Sequence, residues 1–405
     1  MSVVKTLNFY DLNTFKLQIA SDLHLEMYHN PEVLQKRLSK MLTPSADFLA
    51  LLGDIGDPLL SSYELFLKTI SPKFQHIFVV AGNHEYYRNS TIYNIPKTFE
   101  STNDHLEQIC SNIQTKNVTF LNQNIIDIVT KTKKIRVLGT TLWSEIPTSV
   151  ESTVQKRMND YRKIYVSETE TITPHFVQGL FQENVKWIQK QIVTANKNGG
   201  KSKSKSQSKN KNKNKNKNKN RKKKNQKIQK KFNKKKTNKY KINQMNNKQT
   251  EKQVKIKNEN EKGGGKKLGG VVVADETEET DTEDTENTPD TYELEKNEEI
   301  KKQNDDEKTS VVVLTHHAPS FKGTVSPKMK GLPISHAYAS NLESLFCRPK
   351  NILKRFGKNT NIKIWASGHT HHNYQKKIYG TKILSNSKGY PWQTTGFDPR
   401  FLVKF

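Results

Sequence analysis

Five stretches of this 405-residue chain end an apolar run with side chains of the types that can bind metal ions. Asp22 and His24 follow Leu17-Gln18-Ile19-Ala20, and Asp54 and Asp57 follow Phe48-Leu49-Ala50-Leu51-Leu52-Gly53. Asn83 and His84 follow Ile77-Phe78-Val79-Val80-Ala81-Gly82. Much later His316 and His317 close Val311-Val312-Val313-Leu314-Thr315, and His369, His371 and His372 follow the run at 362–367. Such runs read as strands buried on both faces, and a glycine or small residue at the end permits a sharp exit. The carboxyl ends of strands are where open α/β sheets hold ligands. Each stretch alone has an ordinary reading as a solvated turn, a capped helix start or a satisfied core histidine. All five together, each at a strand end, point to a metal site.

The donor types narrow the chemistry. Carboxylate, amide and imidazole without thiolate suit Mn, Fe or Zn better than Ca or Mg, and argue against a cysteine-rich structural zinc site. Two divalent ions about 3.5 to 4 Å apart can hold a hydroxide between them, polarise phosphoryl oxygens and stabilise both the entering and the leaving oxygen of an in-line displacement.

In order, D-x-H, G-D, G-N-H-E, H-H and G-H-x-H resemble the calcineurin-like metallophosphoesterase superfamily, at both ends of the chain and not in its middle. The resemblance implies a sandwich of two mixed β-sheets flanked by helices, with a dinuclear centre at the strand ends. It implies that Asp22, His24, Asp54 and His371 hold one divalent metal ion, that Asp54, Asn83, His316 and His369 hold the other, and that Asp54 bridges them. A metal-bridging hydroxide would attack phosphorus. His84, not a ligand, would act as general acid towards the leaving group or stabilise the transferring phosphoryl group, and Asp57 would orient it. For Asp57, a cap before Pro58 is the alternative. His317 and His372 read as groups behind the ligands or facing substrate. Ser/Thr protein phosphatases carry an arginine after the second Asp of G-D-x-x-D and another before G-N-H-E, where this chain has Pro58 and Ala81. The chain is therefore more similar to the small-substrate branch, with Arg88 as a candidate replacement.

The elements that must position these residues are legible in outline. Strands are expected at 15–20, 48–52, 77–81, 118–121, 125–129, 135–139, 311–315, 362–366 and 383–386, with an edge strand ending the chain at 401–405. Helices are expected at 31–42, with Val33, Leu34, Leu38 and Leu42 as the buried stripe, and at 63–69, 97–113, 174–195 and 336–346. Alternating strands and helices followed by consecutive strands mean an α/β fold with added antiparallel pairs. Residues 145–166 have little periodicity and carry Arg157, Tyr161 and Arg162, as a substrate-facing or plain surface loop would. The stretch at 331–338, with His336 and Tyr338, is expected to shape the pocket mouth.

Charge is concentrated rather than spread. Residues 197–270 hold 29 basic against 3 acidic residues, and 271–308 hold 4 against 16, so this insert supplies half of the formal charge of +28. So few apolar residues cannot offset chain entropy, and the expected organisation is a metallophosphoesterase domain in two parts, 1–196 and 309–405, interrupted by a disordered, low-complexity insert at 197–308. Arg221-Lys222-Lys223-Lys224 also suits a nucleic-acid or nuclear-import tract. The 293 flanking residues suffice for one large core. No leader or membrane span is seen, and two isolated cysteines fit a reducing compartment, so a cytoplasmic protein is expected, with the nucleus open through the polybasic tract. The functional expectation is a hydrolase of phosphomonoesters or phosphodiesters with two divalent metal ions. Its rivals are a non-catalytic protein-interaction module on the same fold and a nucleic-acid binder acting through the insert.

Overall fold

A strand with no polar face must lie between two layers, and β3 (Phe48–Leu52) and β4 (His76–Val80) are buried along their whole length. The computed structural model describes residues 4–28, 31–88, 97–198, 309–346 and 361–404. These lie in one compact unit. In the first sheet β2 (Lys16–Ala20), β3, β4 and β5 (Val118–Phe120) run parallel, with β12 (Leu402–Lys404) antiparallel to β2 at the edge. The second sheet has seven strands. Its order is β1 (Val4–Phe9), β6 (Asn124–Thr130), β7 (Lys134–Gly139), β8 (Ser310–Leu314), β9 (Ile362–Ala366), β11 (Thr381–Ser385) and β10 (Tyr374–Ile378). Both sheets mix parallel and antiparallel pairs.

The period of two along each strand sorts the core. Leu17, Ile19, Phe48 and Phe78 of the first sheet pack with Ile126, Val137, Val312 and Ile364 of the second, forming the layer between the sheets. The intervening residues, such as Leu49, Leu51, Ile77 and Val313, join a second cluster with the helices. These are α1 (Pro31–Met41), α2 (Ser61–Ile70), α3 (Phe99–Asn112), α4 (Glu151–Arg157), α5 (Asp160–Lys163) and α6 (Pro174–Asn198). α3 packs on β5, and α6 on β7 and β8. The expected α/β sandwich of two mixed sheets flanked by helices is what the described residues form.

Several elements depart from expectation. In α1 the buried stripe is Leu34, Leu38 and Met41, continued by Leu42, while Val33 is exposed because it lies a helical step of about 100° off that line. β1 was not anticipated: only Leu7 and Phe9 pack against the inter-sheet core, which leaves little apolar signal in an edge strand. β10 was missed for the same reason, having three exposed residues in the middle of five. It turns into β11 through Tyr379 and Gly380, both with positive φ, as a two-residue I′-type hairpin requires. Residues 145–166 are not a plain loop but contain α4 and α5. No α-helix forms at 336–346. Two 3-10 turns, Pro333–Ala337 and Glu343–Leu345, flank a stretch that Ala318 draws out by exchanging backbone bonds with Tyr338 and Ser340. The expected insert lies outside the described residues from 199 onward; 197 and 198 still belong to α6.

Candidate metal centre

The loops leaving β2, β3 and β4 of one sheet meet those leaving β8 and β9 of the other. Asp22, His24, Asp54, His369 and His371 all have φ between +47° and +65°, a left-handed conformation that disfavours L side chains. Only nine non-glycine residues do so among those described, so this strain of about 1 to 3 kcal/mol each is concentrated on the candidate ligands. Backbone bonds stitch the loops together: Asp22 N–H to Gly53 O at 2.9 Å, His24 N–H to Asp54 O at 3.0 Å and Gly368 N–H to His316 O at 2.9 Å. Glu85 clamps two of them, accepting from Asp54 N–H and Gly82 N–H on one oxygen and from Ile55 N–H on the other. A Cβ on Gly53 would overlap the Gly82 backbone and the His316 ring, and one on Gly82 would overlap the backbone and side chain of Asp54 and the His316 ring.

The expected ligands fall into two groups of donor atoms, and His24, Glu26 and His84 form a third group. Asp22, His24 and His371 form one, with His24 Nε2 3.2 Å and Asp22 Oδ1 3.3 Å from His371 Nε2. Asp54, His316 and His369 form the other, with His316 Nε2 3.1 Å from His369 Nδ1 and 3.5 Å from Asp54 Oδ1. Asn83 joins the second group through Oδ1, 3.1 Å from His316 Nε2. All seven expected ligands are thus brought to the strand ends. Asp54 stands with the second group.

The hydrogen bonds around the imidazoles show what the centre fits. His316 Nδ1–H donates to Leu52 O at 2.7 Å, His369 Nε2–H to Ala337 O at 3.3 Å, His24 Nδ1–H to Glu26 at 3.1 Å and His371 Nδ1–H to Gln393 Oε1 at 2.7 Å. Every neutral ring therefore turns a bare nitrogen inward, where the Asp22 and Asp54 carboxylates and the Asn83 oxygen also point. Acceptors facing acceptors repel, and divalent cations are what such a set holds. Burial alone would raise the Asp54 carboxyl, but His316 and His84 hold it well below the usual carboxylate range. His369 is pushed well down by burial and by the neighbouring His317 and His316, which keeps its nitrogen available.

Asn83 owes its orientation to a residue that spacing did not mark. Asp160 Oδ1, on α5, accepts from Asn83 Nδ2 at 2.8 Å and from Tyr87 OH at 2.6 Å, which fixes the amide oxygen towards His316. Asp160 is buried, and burial raises its pKa. Glu26 was likewise missed. Its Oε1 accepts from Nδ1 of both His24 and His84 at 3.1 Å, while His84 Nε2 faces Tyr390 OH at 3.2 Å. Burial pulls His84 down, but Asp54 and Glu26 outweigh it and raise its pKa to about 9.

Asp57 is not placed on His84. Its Oδ1 accepts from Lys97 Nζ at 2.7 Å and from Leu59 N–H at 3.0 Å, so it caps the turn before α2 and pairs a buried lysine. The carboxylate beside His84 is Glu26, two residues beyond His24 and within reach because a 3-10 turn at Leu25–Met27 folds it back.

The centre opens into a cavity of about 240 Å³ that Asp54, Asn83, His84, His369 and His371 line together with Arg157. Tyr338, expected at the mouth, lines it and stacks on His369 at 4.8 Å; His336 lies instead in a neighbouring cavity. Arg88 donates to Glu168 O and stacks on Tyr165, so it does not replace the missing phosphatase arginines. Arg162 braces Lys156 O and Asn159, and Tyr161 is buried. His317 is buried against His369 and Trp143 and is pushed down to about 3 by burial, whereas His372 is half-buried in the neighbouring cavity. Among the described residues no helix is long and apolar enough to cross a membrane.

An uncharacterised protein, L509, of Acanthamoeba polyphaga mimivirus is 33% identical over 162 residues, 39% of this chain and 54% of that protein, so the chain spans about half the length of that curated relative. Among solved structures, the chain is similar to a phosphopantetheinyl hydrolase from Mycobacterium tuberculosis, with TM-score 0.47 and 12% identity over 93% of this chain and 90% of that one. It is also similar to a dimetal phosphatase from Danio rerio, with TM-score 0.30 and 11% identity over 92% of this chain and 86% of that one. Residues 15–194 match the family described as calcineurin-like phosphoesterase. That match takes in Asp22, His24, Asp54, Asn83 and His84, so over residues 15–194 the chain is similar to the calcineurin-like phosphoesterase family, and the loops after β8 and β9 add three histidines beyond it.

Proposed function

We propose that the chain is a metal-dependent hydrolase of phosphate esters that works with two divalent ions. One observation carries this reading: four imidazoles, each donating its outer N–H to a carboxylate, amide or carbonyl, aim bare nitrogens at two carboxylates and an amide oxygen. Asp22, His24 and His371 would hold one ion, and Asn83, His316 and His369 the other, with Asp54 between them. Ions so held neutralise phosphoryl charge and make water a nucleophile at neutral pH.

The chain's own residues do the rest. His84, fixed by Glu26 through Nδ1 and by its backbone N–H to Asp54 at 2.8 Å, presents Nε2 to the cavity, where it can hand a proton to the leaving oxygen. Tyr390 OH, against that nitrogen, holds the ring's angle. Arg157 lines the cavity, and its guanidinium can meet a phosphate group bidentately. The lack of arginine at Pro58 and Ala81, with Arg88 engaged elsewhere, favours small substrates over phosphoproteins.

The test is hydrolysis of a chromogenic phosphodiester and its monoester by the manganese-loaded chain, with Asp54→Asn as the blank. Activity absent from the blank is the expected result, and the blank should also lose metal. Equal rates for chain and blank would overturn the reading.

A further inference from the structure

Beside the metal centre lies a second and larger cavity of about 820 Å³, within the size range of organic-ligand sites. Phe321, Val325, Leu332 and Pro333 give it an apolar wall. Lys322, Lys330 and Lys376 line it as well, and among the described residues no carboxylate does. Lys322 pairs with Glu343 at 2.7 Å, but Lys330 and Lys376 pair with no carboxylate among the described residues. His336 Nδ1 is buried there without a hydrogen-bond partner. A concave site lined by one sign of charge concentrates ions of the other.

The two cavities are lined by neighbouring residues. Met329 faces the metal cavity and the next residue, Lys330, the second; His371 and His372 divide in the same way. The residue pairs 329–330 and 371–372 thus set the two cavities side by side, so that an elongated molecule with its phosphate at the metal centre would reach the second cavity by passing over them. We infer that the second cavity receives the far end of the substrate, and that the substrate is a phosphate ester carrying a second phosphate beyond an apolar spacer. The apolar wall takes the spacer and Lys330 and Lys376 take the second phosphate. The inference rests on the phosphoesterase reading for the first phosphate only.

The test is calorimetric binding of α,ω-alkanediol bisphosphates of graded chain length to the metal-loaded full chain, each against the n-alkyl monophosphate of the same length. At one optimal length the second phosphate should tighten Kd by about tenfold or more, as expected of one well-placed ionic contact pair. Lys330→Ala with Lys376→Ala should return the bisphosphate to the monophosphate's affinity, with bound metal unchanged as the check on folding. Equal affinities at every length, or an advantage that survives the double substitution, would overturn the inference. Because hydrolysis is assayed separately from binding, lysine-dependent capture by a chain that hydrolyses no ester would keep this site and end the phosphoesterase reading instead.

Discussion

The two cavities are built in opposite ways. In the metal centre every donor stands at a strand end, pinned by a second bond to backbone or to a buried partner, and charges of both signs interleave. Around the second cavity the walls are mostly turns, the charge has one sign, and Lys330 and Lys376 end unpaired among the described residues. Precise placement serves the place where bonds break. A looser, single-signed pocket serves selection, where a few ångströms of adjustment do no harm.

If that contrast is right, substitutions in the metal centre should sort by role. His84→Ala should lower kcat by about a hundred to ten thousand fold while metal content stays as in the parent, measured by turnover and metal analysis. Loss of metal in that variant would place His84 among the ligands. Asp160→Ala should act one step removed, lowering metal affinity by about ten to a hundred fold in a chelator competition as Asn83 loses its anchor. Tyr87→Phe, which keeps Asp160, should weaken affinity less.

A smaller effect separates burial from the metal chemistry. His76 opens β4, the strand whose other end leads to Asn83. Burial, helped by Lys5, pushes His76 down to about 3, so the folded protein keeps it neutral. An unfolded histidine gains its proton below about 6.5, so the stability from the neutral ring is full above that pH and is lost as pH falls from there towards 3, by at most about 1.4 kcal/mol per unit. In denaturant titrations at pH 7 and 4.5, His76→Phe should show a smaller drop in stability than the parent. An identical drop would mean that the ring is already protonated in the fold.

What could be read from residue order was whatever the chain states locally. Asp22, Asp54 and Asn83 each stand directly after an apolar run, so strand, turn and donor fall within a few residues of one another. Glu26, Asp160 and Tyr390 act on partners brought near by folding; Asp160 is 77 positions from Asn83 and Tyr390 is 306 from His84. Asp57 misled for the converse reason, since its position suggested His84 and only the fold reveals Lys97. Edge strands such as β1 and β10 pack too few side chains to leave a pattern.

The position of β8 has a consequence for the order of assembly. β7 ends at Gly139 and its neighbour β8 begins at Ser310, so about 170 residues are synthesised between two adjacent strands of one sheet. At about 5 to 20 residues per second, a ribosome takes roughly ten to thirty seconds to cover that interval. During it β2 to β5 are already out, with Asp22, His24, Asp54 and Asn83 at their ends, while the second sheet has only β1, β6 and β7. The nascent chain thus carries four of the seven candidate ligands on the first sheet and an open edge at β7 on the second, and the arrival of one strand, β8, both covers that edge and delivers His316.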